Sequence, residues 1–167
     1  ALGETALLHD ITIISDEIYE KMVYDGQRQV SMASFSKALY DNTITVNGFS
    51  KPYSMTGWRL GYTAGPEPFM KAMSALQSHC ASAPNTFAQW GAITALEQGA
   101  ASVAEMVAAF DARRRRICER MRAIPGVKCV IPTGAFYVFP DISSFAEHEY
   151  IKNSSTEGSR TLRNRTM

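Results

Sequence analysis

The chain is short of most features that would mark a special environment. Three cysteines, Cys80, Cys118 and Cys129, stand at spacings of 38 and 11 with no C-x-x-C. Neither a disulfide framework nor a zinc site is indicated, and a reducing, cytoplasmic compartment is expected. The histidines, His9, His79 and His148, are isolated and leave no metal-ligating cluster. Charge of one sign is scarce too. Seventeen Lys and Arg face 16 Asp and Glu, a net +1, so no global field draws in nucleic acid or an acidic membrane. The longest stretch without a charged residue, Ala72 to Leu96, holds Gln77, His79, Pro84, Asn85 and Gln89 and cannot span a bilayer. There is no G-x-G-x-x-G or G-x-x-x-x-G-K fingerprint, which argues against a dinucleotide or P-loop site. The opening ALGETALLHD lacks a basic start before an apolar run, so no signal peptide is expected, and it reads like the middle of a protein.

What is present is ordinary globular material: 167 residues, 46% hydrophobic and 20% charged, with 11 Gly and 7 Pro, enough to bury a core. The halves differ in charge. Residues 1–100 carry six basic and nine acidic groups, and residues 101–167 carry eleven and seven, mostly because of Arg113–Arg116. Successive helix positions lie about 100° apart, so those four arginines cannot line one groove, and a solvated or inter-domain face is expected.

Patterning predicts α/β architecture. Residues 1–9 read as the end of a helix. The β-branched runs Ile11–Ile14 and Thr43–Asn47 read as buried strands, with Leu60–Gly65 a weaker third. Glu67 to about Cys80 and Phe87 to Gln98 read as helices, with Asn85 as cap and Gly99 as terminator. From Ala101 to Arg122 apolar residues recur at three and four, an amphipathic helix ended by Pro125-Gly126. Val127–Ile131 and Ala135–Phe139 read as two short strands around a Pro132-Thr133-Gly134 turn. Strands alternating with helices predict a parallel sheet in the first hundred residues, followed by a separate α+β unit.

In open α/β sheets a ligand lies beyond the carboxyl ends of the parallel strands. The residues just after the first two strands include Asp16 and Tyr19, then Ser50, Lys51 and Arg59. An acid, a phenol, an amine and a guanidinium together suit a cofactor with a ring nitrogen, a phenolic oxygen, an aldehyde and a phosphate, namely pyridoxal phosphate.

The stretch Gly48-Phe49-Ser50-Lys51-Pro52-Tyr53-Ser54-Met55-Thr56-Gly57-Trp58-Arg59-Leu60-Gly61 resembles, position for position, the Schiff-base lysine signature of class I/II aminotransferases of the fold type I, aspartate aminotransferase-like group. Ser15-Asp16-Glu17-Ile18-Tyr19 resembles that family's Asp-x-x-Tyr segment, and Pro132 to Pro140 resembles its small-domain strand. The resemblance covers about residues 5–142. It implies that Lys51 is the catalytic amine that holds the cofactor's aldehyde and carries the substrate's α-proton. Asp16 would face the ring nitrogen, Tyr19 the phenolic oxygen, and Arg59 the phosphate, with Ser50 as a second phosphate donor. Gly48 stands where many relatives carry another phosphate-binding serine.

The implied activity is transamination between an amino acid and a 2-oxo acid, of the aspartate or broad-specificity kind, with no role for metal, nucleic acid or membrane. Ala83–Gln89 resembles the family's dimer-interface segment, which implies a homodimer. Residues 1–112 would be part of a cofactor-binding large domain with a parallel sheet. Residues 113–142 would be part of a small α+β domain with its linking helix, and 143–167 an unmatched, disordered tail. The upstream phosphate loop, an upstream asparagine and the late substrate-carboxylate arginine have no counterpart in the chain, so an internal fragment is expected. A truncated or frame-shifted end, a non-catalytic fragment, a same-fold lyase and an unrelated phosphate binder are the alternatives. Ser34-Phe35-Ser36-Lys37 also looks like a lysine segment of this kind. No β-branched strand precedes it and Thr45 stands where an arginine is needed, so Lys37 is expected on the surface.

Overall fold

A computed structural model of the chain describes residues 1–146. Two compact units divide it: Ala1–Ala109 with Thr133–Ala135, and Phe110–Pro132 with the residues from Phe136 onward.

The first unit opens with α1 (Leu2–Leu8), a short helix in which Gly3 alone is buried. The apolar run that follows enters β1 (Ile13–Asp16), and the second run forms β2 (Thr43–Gly48). They pair in parallel, Ile13 opposite Thr43 and Asp16 opposite Val46, as the β-branched composition predicts. Between them lies the one-turn helix α2 (Lys37–Tyr40), capped by the Ser36 hydroxyl, which accepts from the Leu39 N–H at 3.2 Å. The third strand, β3 (Gly61–Ala64), runs antiparallel to β2, with Gly48 opposite Gly61 and Thr45 opposite Ala64. The sheet is therefore mixed. A parallel return requires a crossover of a dozen residues or more, usually a helix. The Phe49–Leu60 connection holds only turns and one 3₁₀ turn, Thr56–Trp58, so the chain comes back beside the strand it left. At the base of this loop β2 and β3 meet glycine on glycine. A Cβ added at Gly48 would lie 3.0 Å from both the Gly61 Cα and the Leu60 carbonyl oxygen.

Helices α3 (Glu67–Ala81) and α4 (Thr86–Gln98) follow. Asn85 caps α4 as expected, its Oδ1 accepting from the N–H groups of Phe87 and Ala88 at 3.0 and 3.3 Å, an interaction worth about 1 kcal/mol. Two small residues one turn apart, Ala88 and Ala92, are buried. Ala92 packs with Phe49 and Met55, and Tyr53, Leu60 and Ala95 close around that cluster. The strand-end turn after β2 is thus seated on α4.

Helix α5 (Ala100–Arg122) begins in the first unit and ends in the second. Its arginine run is not uniformly solvated. Arg114 is buried, its Nε donating to Asp111 Oδ1 at 2.7 Å and its Nη1 to the Pro132 carbonyl at 2.8 Å. Arg115 Nε reaches the other Asp111 oxygen at 3.1 Å, and Arg113 lies over the Phe110 ring. The Phe110 ring stacks on Phe136 with centroids 5.4 Å apart. The two strands predicted at Val127–Ile131 and Ala135–Phe139 do not form. One bridge joins Lys128 to Asp141, and Gly134 bridges instead to Val23 of the first unit's own segment. Tyr24 explains the diversion. It takes the Thr133 carbonyl on its N–H at 2.9 Å and gives its hydroxyl to the Ala135 carbonyl at 2.7 Å, so the predicted hairpin turn is spent on pairing elsewhere. Gly126, at φ 85°, makes the turn after α5, where a Cβ would meet Ser144 Oγ at 2.7 Å. Ser143–Phe145 form a 3₁₀ turn; residues 147–167, most of the segment expected as a disordered tail, lie outside the described residues.

The Asp111 network sets an acid sensitivity. Desolvation pushes the Asp111 carboxyl up, but hydrogen bonds from Arg114 and Arg115 outweigh it and hold it below the usual carboxylate range. A carboxyl depressed in the folded state contributes stability above its unfolded value, about 4, and loses it as pH falls through the folded value. Thermal melts taken from neutral pH down to about pH 3 are expected to show the midpoint falling in the acid range. Asp111→Asn should flatten that fall and lower the midpoint at neutral pH by several degrees, because the buried Arg114 charge then loses its carboxylate partner. An Asn variant with unaltered acid behaviour would dissociate the network from stability.

Candidate active site

Because β1 and β2 are parallel, their carboxyl ends, Asp16 and Gly48, share one edge of the sheet. Because β3 is antiparallel, its first residue, Gly61, lies at that same edge. The chain beyond each strand end therefore delivers Tyr19, Ser50 and Lys51, and Arg59 two residues before β3, to one rim. Of the five residues selected from sequence, Asp16 is the last residue of β1 and the other four lie in the loops of this edge.

Lys51 is half-buried in a tight turn between a buried Phe49 and a buried Pro52. The Phe49 carbonyl accepts from the N–H groups of both Tyr53 and Met55, at 3.2 and 3.3 Å, and its own N–H reaches the Leu60 carbonyl at 3.3 Å. The amine is thus presented on a turn whose backbone is tied at both ends. Ser50 is half-buried next to it, and its hydroxyl has no hydrogen-bond partner among the described residues.

Arg59 is exposed, in the left-handed region at φ 54° and ψ 48°. For a residue with a Cβ this conformation costs about 1 kcal/mol. It lets the chain turn sharply from the 3₁₀ turn into β3 while Nη1 donates back to the Thr56 carbonyl at 2.9 Å. The guanidinium borders a cavity of about 660 Å³ together with Val46, Asn47, Tyr62 and Thr63 of the sheet and Met70 and Met73 of α3. Burial pushes the Tyr62 phenol up, and the nearby Glu20, Tyr53 and Glu17 add to the shift, so it remains a proton donor at neutral pH.

Asp16 is exposed, and its Oδ1 accepts from the Ile18 N–H at 3.1 Å, shaping the turn that carries half-buried Tyr19. A turn-forming role and an open carboxylate oxygen coexist here. The acid that sequence reasoning passed over is Glu17. It is 6% exposed, and its Oε1 accepts the hydroxyls of Ser15 at 3.0 Å and Ser31 at 2.7 Å. Period-two alternation carried past the end of β1 puts Ser15 and Glu17 on one face and Asp16 on the other, a signal available from sequence. Lys37, the control lysine, stands in the first turn of α2, exposed and paired with Asp41. That places it on a surface helix rather than a loop, away from the strand ends.

The strand-end edge of this α/β sheet thus carries an acid, a phenol, an amine and a guanidinium on its strand ends and loops. The family model described as aminotransferase class I and II matches residues 1–166, and the chain belongs to that family, whose members use pyridoxal phosphate. It is 49% identical over 147 residues to the aspartate aminotransferase of Bacillus subtilis (strain 168), covering 88% of this chain and 37% of the relative. To an aspartate/prephenate aminotransferase assigned as probable in Aquifex aeolicus (strain VF5) it is 48% identical, over 87% of this chain and 38% of the relative. Among solved structures, the aspartate aminotransferase of Rhizobium meliloti superposes with a TM-score of 0.81 at 39% identity, covering 84% of this chain and 35% of that one. The chain thus spans little more than a third of the length of the curated relatives it matches.

Proposed function

We propose that the protein carrying this chain is a pyridoxal-phosphate aminotransferase, of the aspartate or broad-specificity kind, with Lys51 as its catalytic amine. The single observation that carries this reading is the convergence of Asp16, Lys51 and Arg59 on one sheet edge through the parallel β1–β2 and antiparallel β2–β3 pairings. The donor set fits the cofactor chemically. Lys51 Nζ would hold the aldehyde carbon, Asp16 would accept from the protonated ring nitrogen, and Tyr19 would donate its hydroxyl to the phenolic oxygen. Arg59 would grip the phosphate with a forked pair of N–H donors, and the Ser50 hydroxyl would be a second donor. The cofactor, when bound, supplies a ring that withdraws the electrons left by a departing proton.

The chain's own part in the reaction is proton movement and orientation. Lys51 Nζ would take the proton from the substrate α-carbon and carry it for return, the proton movement that conversion of an amino acid to a 2-oxo acid needs. The packed turn around Phe49 and Pro52 keeps the amine close to one path. Asp16 holds the ring-nitrogen proton in place by its opposite charge. The test is titration with pyridoxal phosphate, which should produce a visible absorption band and a borohydride-stable adduct on Lys51.

The names of the relatives support an amino acid and a 2-oxo acid as substrates, and we infer a cytoplasmic homodimer. The interface support is the start of α4, where Phe87 and Trp90, three positions apart and so on one side of the helix, are each more than 60% exposed, apolar surface of the kind that marks an interaction site. Sedimentation is expected to give a dimer, and Trp90→Glu to shift it toward monomer. A wild-type chain that sediments as a monomer at every concentration would remove the inference.

A further inference from the structure

The acid next to Asp16 has no place in the donor set at the rim, yet it is the more enclosed of the two. Glu17 is 6% exposed, and a carboxylate is seldom taken out of water unless its oxygens are hydrogen-bonded. Its Oε1 accepts the Ser15 hydroxyl at 3.0 Å and the Ser31 hydroxyl at 2.7 Å. Its N–H donates to the Val46 carbonyl of β2 at 2.8 Å. The bond from Ser15 is local. The bond from Ser31 spans 14 positions of chain, and it closes the base of a loop that carries Tyr19.

The far arm of this loop is fixed separately. Met22 is 1% exposed; its carbonyl accepts from the Ala135 N–H at 2.8 Å, and its N–H donates to the Tyr19 carbonyl at 2.9 Å. Tyr24 pairs with Thr133 and Ala135. Glu17 therefore fixes the backbone two positions before Tyr19, and Met22 fixes it three positions after. Anchors so close on either side leave the chain between them few conformations.

We propose that Glu17 is the positioning residue for Tyr19: its buried carboxylate clasps the loop at Ser31 and thereby sets where the phenol stands at the rim. The assignment rests on the reading of that rim as a pyridoxal-phosphate site, in which the Tyr19 hydroxyl meets the phenolic oxygen. Glu17 lies on the strand face opposite Asp16, so its influence on the cofactor passes through the phenol. An amide at this position keeps an oxygen that can accept both hydroxyls. Glu17→Gln is accordingly the conservative variant and Glu17→Ala the disruptive one.

The test applies two readouts to the full chain. Hydrogen exchange over residues 18–24, followed by mass spectrometry, needs no cofactor. Glu17→Ala and Ser31→Ala are expected to speed it roughly ten- to a hundredfold, the loss of a hydrogen bond to a charged group. Exchange in β2 should stay as it was, and Glu17→Gln should keep the loop slow. Ser31→Ala removes a single hydroxyl and carries the test if Glu17→Ala does not fold. The second readout is titration with pyridoxal phosphate. Glu17→Ala should raise the half-saturating concentration and displace the absorption band in the direction that Tyr19→Phe displaces it. Added to Tyr19→Phe, it should change neither any further, because the phenol through which it acts is gone. Additive losses in that double variant mark a purely structural role and overturn the proposal. So does loop exchange that is equal in Glu17→Ala, Ser31→Ala and the unaltered chain, a result that can be read whether or not a band forms. No band in the unaltered chain overturns the aminotransferase reading and the role of Tyr19 with it. A band whose position and half-saturation are unmoved by Glu17→Ala overturns this proposal alone.

Discussion

Lys51→Ala is expected to erase both the visible absorption that pyridoxal phosphate acquires on this chain and the borohydride-stable adduct. No other amine stands on the loops of the strand-end edge between Phe49 and Leu60. Lys37→Ala should leave both signals intact, since Lys37 is exposed on α2 and paired with Asp41. Arg59→Ala should keep the adduct but raise the half-saturating cofactor concentration by roughly ten- to a hundredfold, the effect of losing a charge-assisted forked contact. Where turnover is measured in the protein carrying the chain, loss of the proton-carrying amine should cost about 10²- to 10⁴-fold. A band that survives Lys51→Ala, or one that disappears with Lys37→Ala, would refute the assignment of the catalytic amine.

Phe49→Ala should be the most damaging change to the frame of the site. The ring is 6% exposed, packs on Met55 and Ala92, and has the Tyr53 and Tyr62 rings at 5.6 and 5.9 Å. Truncating a buried phenylalanine to alanine costs about 3–5 kcal/mol, and Phe49→Leu should cost less because it leaves a smaller void. Denaturant midpoints measure both. Under conditions where the Ala variant is still folded, cofactor binding should weaken as well, because the turn carrying Lys51 is held by this ring. A midpoint that does not move would show that the turn draws its rigidity from elsewhere.

That Ile11–Ile14 and Thr43–Asn47 enter strands was legible because both are short β-branched runs, but the burial expected of both holds only for β2: β1 lies at the edge of the sheet and its Ile14 is 71% exposed. Asn85 and Gly99 marked α4 through backbone chemistry that acts locally, and both ends fall where that chemistry puts them. That Asp16, Tyr19, Ser50 and Lys51 lie toward one edge was legible for a related reason, since parallel pairing sends the chain after β1 and β2 there, whereas Arg59 reaches that edge through the antiparallel β3. What escaped depends on distant partners. The direction of β3 is decided by how little helix its connection contains. The strands expected at Val127–Ile131 and Ala135–Phe139 had suitable residues, but Tyr24, more than a hundred positions away, claims the intervening turn. Arg114 is indistinguishable from its three neighbours in sequence, and the Pro132 carbonyl and Asp111, which it meets in the fold, go with its burial.

The return of β3 beside β2 has one more implication. Lys51 and Arg59 belong to a single stitch of chain whose two feet are pinned where Gly48 faces Gly61. Ladder spacing between adjacent strands is a constant of backbone geometry, about 4.8 Å, so the gap between those feet is indifferent to what lies in the stitch. Substitutions among Ser54, Thr56 and Gly57, all exposed, can alter the rim's texture while the two cationic anchors keep their separation, as prongs of a plug keep theirs whatever the casing.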